Sequence, residues 1–589
     1  MFKKFTKTTA FLWVLALTGC VSPLSTNTDD LPNKANEVVI DAIVETENKN
    51  KNMDGVTLPN TTKTMVEKSL NNRILELEEI SPYSAGDSWN TPLGFDLNLE
   101  LAQTTPLSMH EAITLAIENN LDIQISSFQP KIAEQSVTAA RAAFDFVFGA
   151  GVSKNKNRIP QQQAITQAGQ PLSSSERQSD IFSTNASLSK KLDSGGTFLL
   201  STDVTKTETF TQEFEYSPDP AWQTIGTVEL NQPLLRNFGE KVSLSQIQIS
   251  QIDQNIAGEE VRKTLNEVVT ASEQAYLDLC LQWRVLQTNQ WLLEQGERVV
   301  ETLELRMSYD TSEADYAQAV ATVQRRRADV IKQQSVVCAA SDRLKQLINF
   351  EKYALDSELV IQPAGEIKAT PITVSLKQAL VTAIANRPDL KALALEINSS
   401  DINIEVAENA KLPQLDMQAQ MSLYGLGDSA SRGYSEVTDG DFVNYLVGLT
   451  FSVPLGNREA DSNAKIMRLK QMSAISSYKK GIQQATVEIK NSLRDILTNA
   501  SLMRANKDYR IAQAENLRAL LVEEETMAGL TPTFLNLKLQ TQSGLAQAKI
   551  SEIQSIVSYN KSIAELYKAM GTSISRHQVA LEDTETIAP

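Results

Sequence analysis

The sequence predicts a mixed fold, long α-helices interrupted by β-strands of membrane-spanning length, and three observations lead there. One stretch with the character of a helix opening occurs twice, strictly alternating segments break the helical pattern, and helical segments run for dozens of residues without proline. Each half of the chain shows all three.

The duplication is read from Ser108 to Asp122 and from Ser375 to Asp389, which align at a constant offset of 267 positions. Further on, Leu-Asn-Gln-Pro-Leu-Leu-Arg from Leu230 and Phe-Ser-Val-Pro-Leu-Gly from Phe451 align through Pro233 and Pro454 at an offset of 221. The first half therefore holds 46 extra residues between these landmarks, in Gly/Ser/Gln-rich sequence around Lys154 to Tyr216. Within it, Lys191-Leu-Asp-Ser-Gly-Gly-Thr197 reads as a tight turn between strands, so an enlarged loop or an extra hairpin accounts for the difference.

Alternation marks the strands. Leu415, Met417, Ala419, Met421 and Leu423 share one face, and Gln414, Asp416, Gln418, Gln420 and Ser422 the other. Tyr445, Val447, Leu449, Phe451 and Val453 repeat the pattern, as do Phe144, Phe146, Phe148, Ala150 and Val152. Runs of about 9 to 11 residues suit a tilted bilayer-crossing strand, although half-buried strands of a soluble sheet alternate in the same way. Equivalent positions in two helical halves favour a barrel.

The helices are long. No proline occurs from Ser243 to Ser308, enough for one helix of 66 residues, roughly 100 Å at the usual rise. A break at Tyr309 to Glu313 precedes a helix of 36 residues reaching Asn349, and Leu107 to Arg141 supplies another helical region. Stacked end to end, the two shorter pieces match the long helix in height. The second half repeats the plan from Ala460, through a break at Gly529-Leu-Thr-Pro532, to Met570.

Composition excludes other classes. Charged residues make up 22% and aromatic residues 6%, which favours helices over compact aromatic cores. A net charge of −17 repels a phosphate backbone, so no nucleic-acid partner is expected. His110 and His577 lie near opposite ends, and no zinc spacing, phosphate loop or nucleophile elbow occurs. No catalytic residue, metal or cofactor is expected, and the chain is not read as an enzyme.

At the N-terminus, Lys3, Lys4 and Lys7 precede an apolar run from Ala10 to Leu17 and then Thr18-Gly19-Cys20. This resembles a bacterial lipoprotein signal: residues 1–19 would be removed and Cys20 acylated, the alternatives being an ordinary secretory signal or an N-terminal membrane helix, for which the apolar run is too short. Val21 and Ser22 follow, without the aspartate that retains some lipoproteins at the inner membrane, which favours outer-membrane sorting. No later segment has the about 18 to 20 apolar residues of a transmembrane helix, so strands must make any crossing. Residues 20–103 read as the lipid anchor and mainly a polar tether, with sustained periodicity only from Met65 to Ile80, 104–350 as the first repeat and 351–372 as a linker. The second repeat takes 373–572, and 573–589 form a tail.

Together these features resemble the TolC-type outer-membrane efflux protein family over Leu107 to Thr572. The resemblance rests on the duplicated openings, Arg387-Pro388-Asp389, Leu412-Pro413-Gln414, Gln232-Pro-Leu-Leu-Arg236, Pro454-Leu-Gly-Asn-Arg458 and Ser312-Glu-Ala-Asp315. It implies a homotrimer in which each chain gives four strands to a shared barrel of twelve, continued by a periplasmic helical tunnel. A periplasmic adaptor and an inner-membrane transporter, proton-driven or ATP-driven, are the implied partners, and solutes would pass through the duct passively. A periplasmic coiled-coil lipoprotein without a pore is the competing reading.

In that frame Pro233 and Pro454 mark strand-to-helix junctions, where a residue that cannot extend a ladder still tolerates a first helical turn. The resemblance also implies a pore constriction at the helix tips. Asp315 and its repeat equivalent Asn536 are the candidates, with helix capping as the plain alternative for Asp315. Cys280 and Cys338 are equidistant from Tyr309, so an antiparallel hairpin sets them at equal height, either as a disulfide or as two separate thiols.

Overall fold

The computed structural model describes residues 56–59, 63–82, 89, 91–94, 97, 99–160, 176–210, 217–308, 311–365, 367–526 and 531–577. Cys20, the segment 1–19, Tyr309 and the tail from 578 lie outside these residues. The chain opens with β1 (Val56–Leu58), α1 (Met65–Ser69) and α2 (Ile74–Glu79). The first half continues through β2 (Thr104–Leu107), α3 (Met109–Asn119) and α4 (Leu121–Ala142). Four strands follow, β3 (Val147–Pro160), β4 (Glu176–Lys191), β5 (Thr197–Phe210) and β6 (Ala221–Pro233). Then come α5 (Glu240–Ser243), α6 (Ser245–Arg306) and α7 (Glu313–Ile348).

Strands β7 (Val360–Pro363) and β8 (Ile372–Val374) lead into the second half. It holds α8 (Leu376–Asn386), α9 (Pro388–Asn409), β9 (Gln414–Gly427) and α10 (Ala430–Asp439). After β10 (Val443–Ser452) it ends in α11 (Arg458–Thr526), α12 (Pro532–Ala569) and α13 (Ser573–Arg576).

The duplication is reproduced residue for residue. Helices α3 and α8 are each 11 residues long, and α4 and α9 each 22. Serine opens both copies, Ser108 Oγ accepting from Glu111 N at 3.2 Å and Ser375 Oγ from Gln378 N at 3.5 Å. The end-to-end stacking is also present. Asn120 Nδ2 donates to Leu347 O at 2.9 Å and Asn349 Nδ2 to Asn119 O at 3.1 Å, so α4 and α7 meet at their ends beside α6. At the equivalent place in the second half, Arg387 donates to Ala569 O at 3.1 Å and joins α9 to α12 beside α11. Helix α6 has 62 residues and α11 has 69, lengths of about 93 and 104 Å.

The core lies at the level where these pieces meet. Trp283 is fully buried and donates from Nε1 to Ile361 O at 3.1 Å, while Tyr276 donates to Leu107 O at 3.0 Å. Both tie α6 to the parallel pair β2–β7. Segment 351–372, expected to be a linker, thus supplies β7, which pairs with β2 at the start of the first repeat, and leads into β8, which pairs with β1 from the segment before that repeat.

Two expectations are corrected, the first and third below, and at the second point the structure takes one of the two alternatives left open. First, the segment expected to be a tether docks in part on α11. Thr64 and Glu67 form a capping box, Lys507 pairs with Glu67 at 2.6 Å, and Leu77 is fully buried with Ile511, Ala514 and Leu517. Its apolar side chains recur at helical spacing and find a complementary stripe. Second, Cys280 and Cys338 are free thiols. Cys280 is buried in the core cluster while Cys338 packs at its margin, and burial pushes both thiols above their ordinary range. Third, the strands are not two pairs. The first half gives four and the second two, in one antiparallel sheet ordered β10-β9-β6-β5-β4-β3.

Candidate membrane sheet and helix-tip site

Register gives the sheet two chemically distinct faces. Phe148, Leu188, Leu200, Val228, Met421 and Tyr445 stand side by side across all six strands. One residue along, on the opposite face, the row is Gly149, Ser187, Ser201, Thr227, Ser422 and Asn444. Because side chains alternate with period two, every strand presents an apolar and a polar face in the same sense. Thr227 and Ser422 hydroxyls lie 3.2 Å apart on the polar face, and Gln418 donates to Glu229 there at 3.1 Å.

Aromatic and basic side chains bound the apolar face. Toward the helices, Lys190 lies 4.7 Å from the Phe146 ring. Toward the opposite end, Lys206 lies 5.8 Å from the Trp222 ring. From Phe198 to Lys206 along β5 the span is ~27 Å, close to the ~25 Å apolar band of a membrane barrel with aromatic girdles.

The junctions explain how strands become helices. Pro233 is the last residue of β6, and Leu234 N donates to Leu415 O at 2.7 Å before Asn237 and Gly239 adopt φ of 66° and 100°. Pro454 follows β10, and Gly456 and Asn457 turn the chain with φ of 96° and 37°. Left-handed backbone at both places redirects the path from strand into helix within a few residues. The turn joining β4 to β5 lies against the first junction. Gly239 N donates to Ser194 O at 3.0 Å, Ser194 Oγ donates to Gln232 Oε1 at 2.8 Å, and a Cβ on Gly195 would come within 2.1 Å of Asn237 O.

At the far ends of the long helices the two hairpins share a cluster of Val299, Leu303, Ala319, Leu535 and Leu539, flanked by Tyr316 and Phe534. Asp315 lies in the first turn of α7 and Asn536 in the second turn of α12, so the structure brings both to this tip. Asp315 also serves the cap: its N donates to Ser312 Oγ at 3.2 Å, and Ser312 Oγ donates back to its carboxylate at 2.6 Å.

Two features escaped the sequence reading. Arg326 on α7, 2% exposed, donates to Leu292 O at 2.7 Å, Leu539 O at 2.8 Å and Ser543 Oγ at 2.9 Å, tying α6, α7 and α12 together. Burial lowers its pKa to about 10. Gly296 makes room for it, since a Cβ there would stand 2.8 Å from Nη1. Helix α10 seats on the apolar side of the sheet's outer end, where a Cβ on Gly425 would fall 2.0 Å from Gly433 O, and Glu436 accepts from Leu426 N at 2.9 Å. Gly425, Gly427 and Gly433 were the available signal.

No group of three or more potential metal ligands occurs among the described residues, and none of their helices is long and apolar enough to cross a membrane. A model of the outer membrane efflux protein family matches residues 379–572. The pyoverdine export outer membrane protein OpmQ of Pseudomonas putida is 25% identical over 189 residues, which is 32% of this chain and 38% of that protein. Among solved structures, the outer-membrane channel OprN superposes with a TM-score of 0.57 at 14% identity, covering 79% of this chain and 90% of its own. The CmeC outer membrane channel of Campylobacter jejuni gives 0.57 at 14% identity, covering 84% and 95%. Residues 379–572 thus match the outer membrane efflux protein family, and the chain as a whole shares its fold with outer-membrane channels.

Proposed function

We propose that this chain is the outer-membrane exit duct of a tripartite efflux or secretion system. Three copies would share a barrel, and their helices would form a periplasmic tunnel through which solutes delivered by an inner-membrane transporter and a periplasmic adaptor leave the cell. The carrying observation is the register that gives all six strands one apolar and one polar face directly above helices of 62 and 69 residues. A soluble rod has no use for a continuous apolar sheet face with aromatic and basic borders. Transport through it would be passive, with energy supplied by the transporter.

Within this reading Cys20 carries the lipid anchor, and Asp315 and Asn536 face the axis at the tip, three Asp315 carboxylates favouring cations. Reconstitution into planar lipid bilayers tests the function. Discrete conductance steps support the duct; a protein that extracts into detergent yet never conducts returns the reading to a structural lipoprotein.

A further inference from the structure

The inserted sequence of the first half has an architectural consequence. Strands β4 and β5 are full members of the sheet, placed between β3 and β6, and they obey the same facial alternation as their neighbours. Leu188 and Leu200 continue the apolar row, and Ser187 and Ser201 the polar one. Their connecting turn is held at the helix end of the sheet through Ser194, Gln232 and Gly239. A hairpin folded into the lumen, or lying outside the wall, would share none of this register.

The sheet still has two open edges, β3 and β10. Unpaired backbone groups cannot face lipid, and the smallest barrels of this kind need about eight strands, so six cannot close on themselves. β3 runs away from α4 and β10 runs toward α11, so β10 of one copy and β3 of the next meet antiparallel. β3 has 14 residues and β10 has 10, long enough to pair across a bilayer. Large apolar side chains continue the outer face across that seam, Phe148 and Val152 on one edge and Tyr445, Val447 and Leu449 on the other, each at least 67% exposed in the single chain.

We propose that three copies of this chain close a barrel of about eighteen strands, joined at β10–β3 seams, in place of the twelve that the resemblance implied. The proposal rests on the three-fold duct reading. Because barrel diameter grows roughly linearly with strand number at a given tilt, the lumen is ~1.5-fold wider across, and ~2-fold larger in section, than with twelve strands.

Cryo-electron microscopy of the full chain purified in detergent decides it. The expected result is a three-fold particle with six wall strands per copy. A three-fold tube with four wall strands per copy and β4–β5 outside the wall overturns the strand count and leaves the duct standing. A two-fold particle, or one without a closed barrel, overturns both. Cross-linking gives an independent readout: Ser153→Cys on β3, combined in turn with Leu446→Cys, Gly448→Cys and Thr450→Cys on β10, places thiols on the polar face of both edges. At least one combination is expected to give an oxidised trimer on a gel, and failure of all three removes the seam.

Discussion

The assignment of faces makes a sharp prediction at two adjacent residues. Leu200 and Ser201 follow one another on β5, but register puts Leu200 in the apolar row and Ser201 in the polar one. Leu200 is 46% exposed, so an arginine there projects from the sheet without first needing a cavity. On a lipid face, arginine costs ~2–4 kcal/mol at the midplane and less toward the interfaces, and Leu200 lies somewhat toward the helix end, giving ~1–3 kcal/mol per chain. That is a ~5- to 140-fold shift in the folding equilibrium for Leu200→Arg, against little change for Ser201→Arg, whose side chain enters the water-facing side. The assay is folding of the purified chain into lipid vesicles, with the urea midpoint followed by tryptophan fluorescence and the folded fraction by heat-modifiable gel mobility. Equal damage from both substitutions would refute β5 as a wall strand with these faces, and tolerance of Leu200→Arg with loss from Ser201→Arg would invert the sheet.

Trp283→Ala should remove ~3–5 kcal/mol by emptying a fully buried site and orphaning the Ile361 carbonyl; a guanidinium midpoint, read by helical circular dichroism, that barely moves counts against the core assignment. Arg387 pairs with Asp389 at 2.7 Å and Glu488 at 2.6 Å, whose side chains are 37% and 39% exposed, so Arg387→Ala should cost a screened ~1–3 kcal/mol. Burial alone would raise the Asp389 carboxyl, yet the Arg387 hydrogen bond and charge leave it below its ordinary value. Its contribution is therefore complete above a pH of ~4 and lost as pH falls through the lower folded value, so denaturation curves between pH 2 and about 5 should flatten in Arg387→Ala. Cys20→Ala should abolish incorporation of labelled palmitate during expression, and persisting label would place the lipid elsewhere. Asp315→Asn should move the reversal potential of the reconstituted protein toward zero in a salt gradient; an unchanged value would leave Asp315 as a helix cap only.

What the sequence revealed and what it concealed follow from the range of the forces involved. Helix openings at Ser108 and Ser375 were legible because capping and amphipathic spacing act within one or two turns. The junctions at Pro233 and Pro454 were legible because proline forbids a continued ladder. For Cys280 and Cys338, spacing about the turn fixed their height on the hairpin but carried no information on rotation about each helix axis, which decides whether two thiols meet. The docking of residues 63–82 depended on a stripe around Ile511 and Leu517, more than 400 positions away, which no local pattern announces. At the tip, Asp315 was singled out by the resemblance and Asn536 by the repeat offset, whereas Arg326 carries an ordinary surface residue type and shows its role only once Gly296 and three helices surround it.

The additional strands were visible only as surplus length and one tight turn, because Asn185-Ala-Ser-Leu-Ser189 alternates small polar and apolar residues too briefly to stand out and the consecutive Phe198, Leu199 and Leu200 mask the period of two on β5. Their number is nevertheless constrained. A strand entering the sheet from α4 must be followed by an odd count of further strands before α6, or the long helix would start on the wrong side of the membrane. The second half satisfies this with two strands and the first with four, and an insertion of a single strand would have inverted everything after it. Widening by whole hairpins also keeps the two edge strands, β3 and β10, opposite in direction. On the proposed barrel, a sheet that grows in this way would widen the lumen while leaving the β10 and β3 edges that pair between copies unchanged.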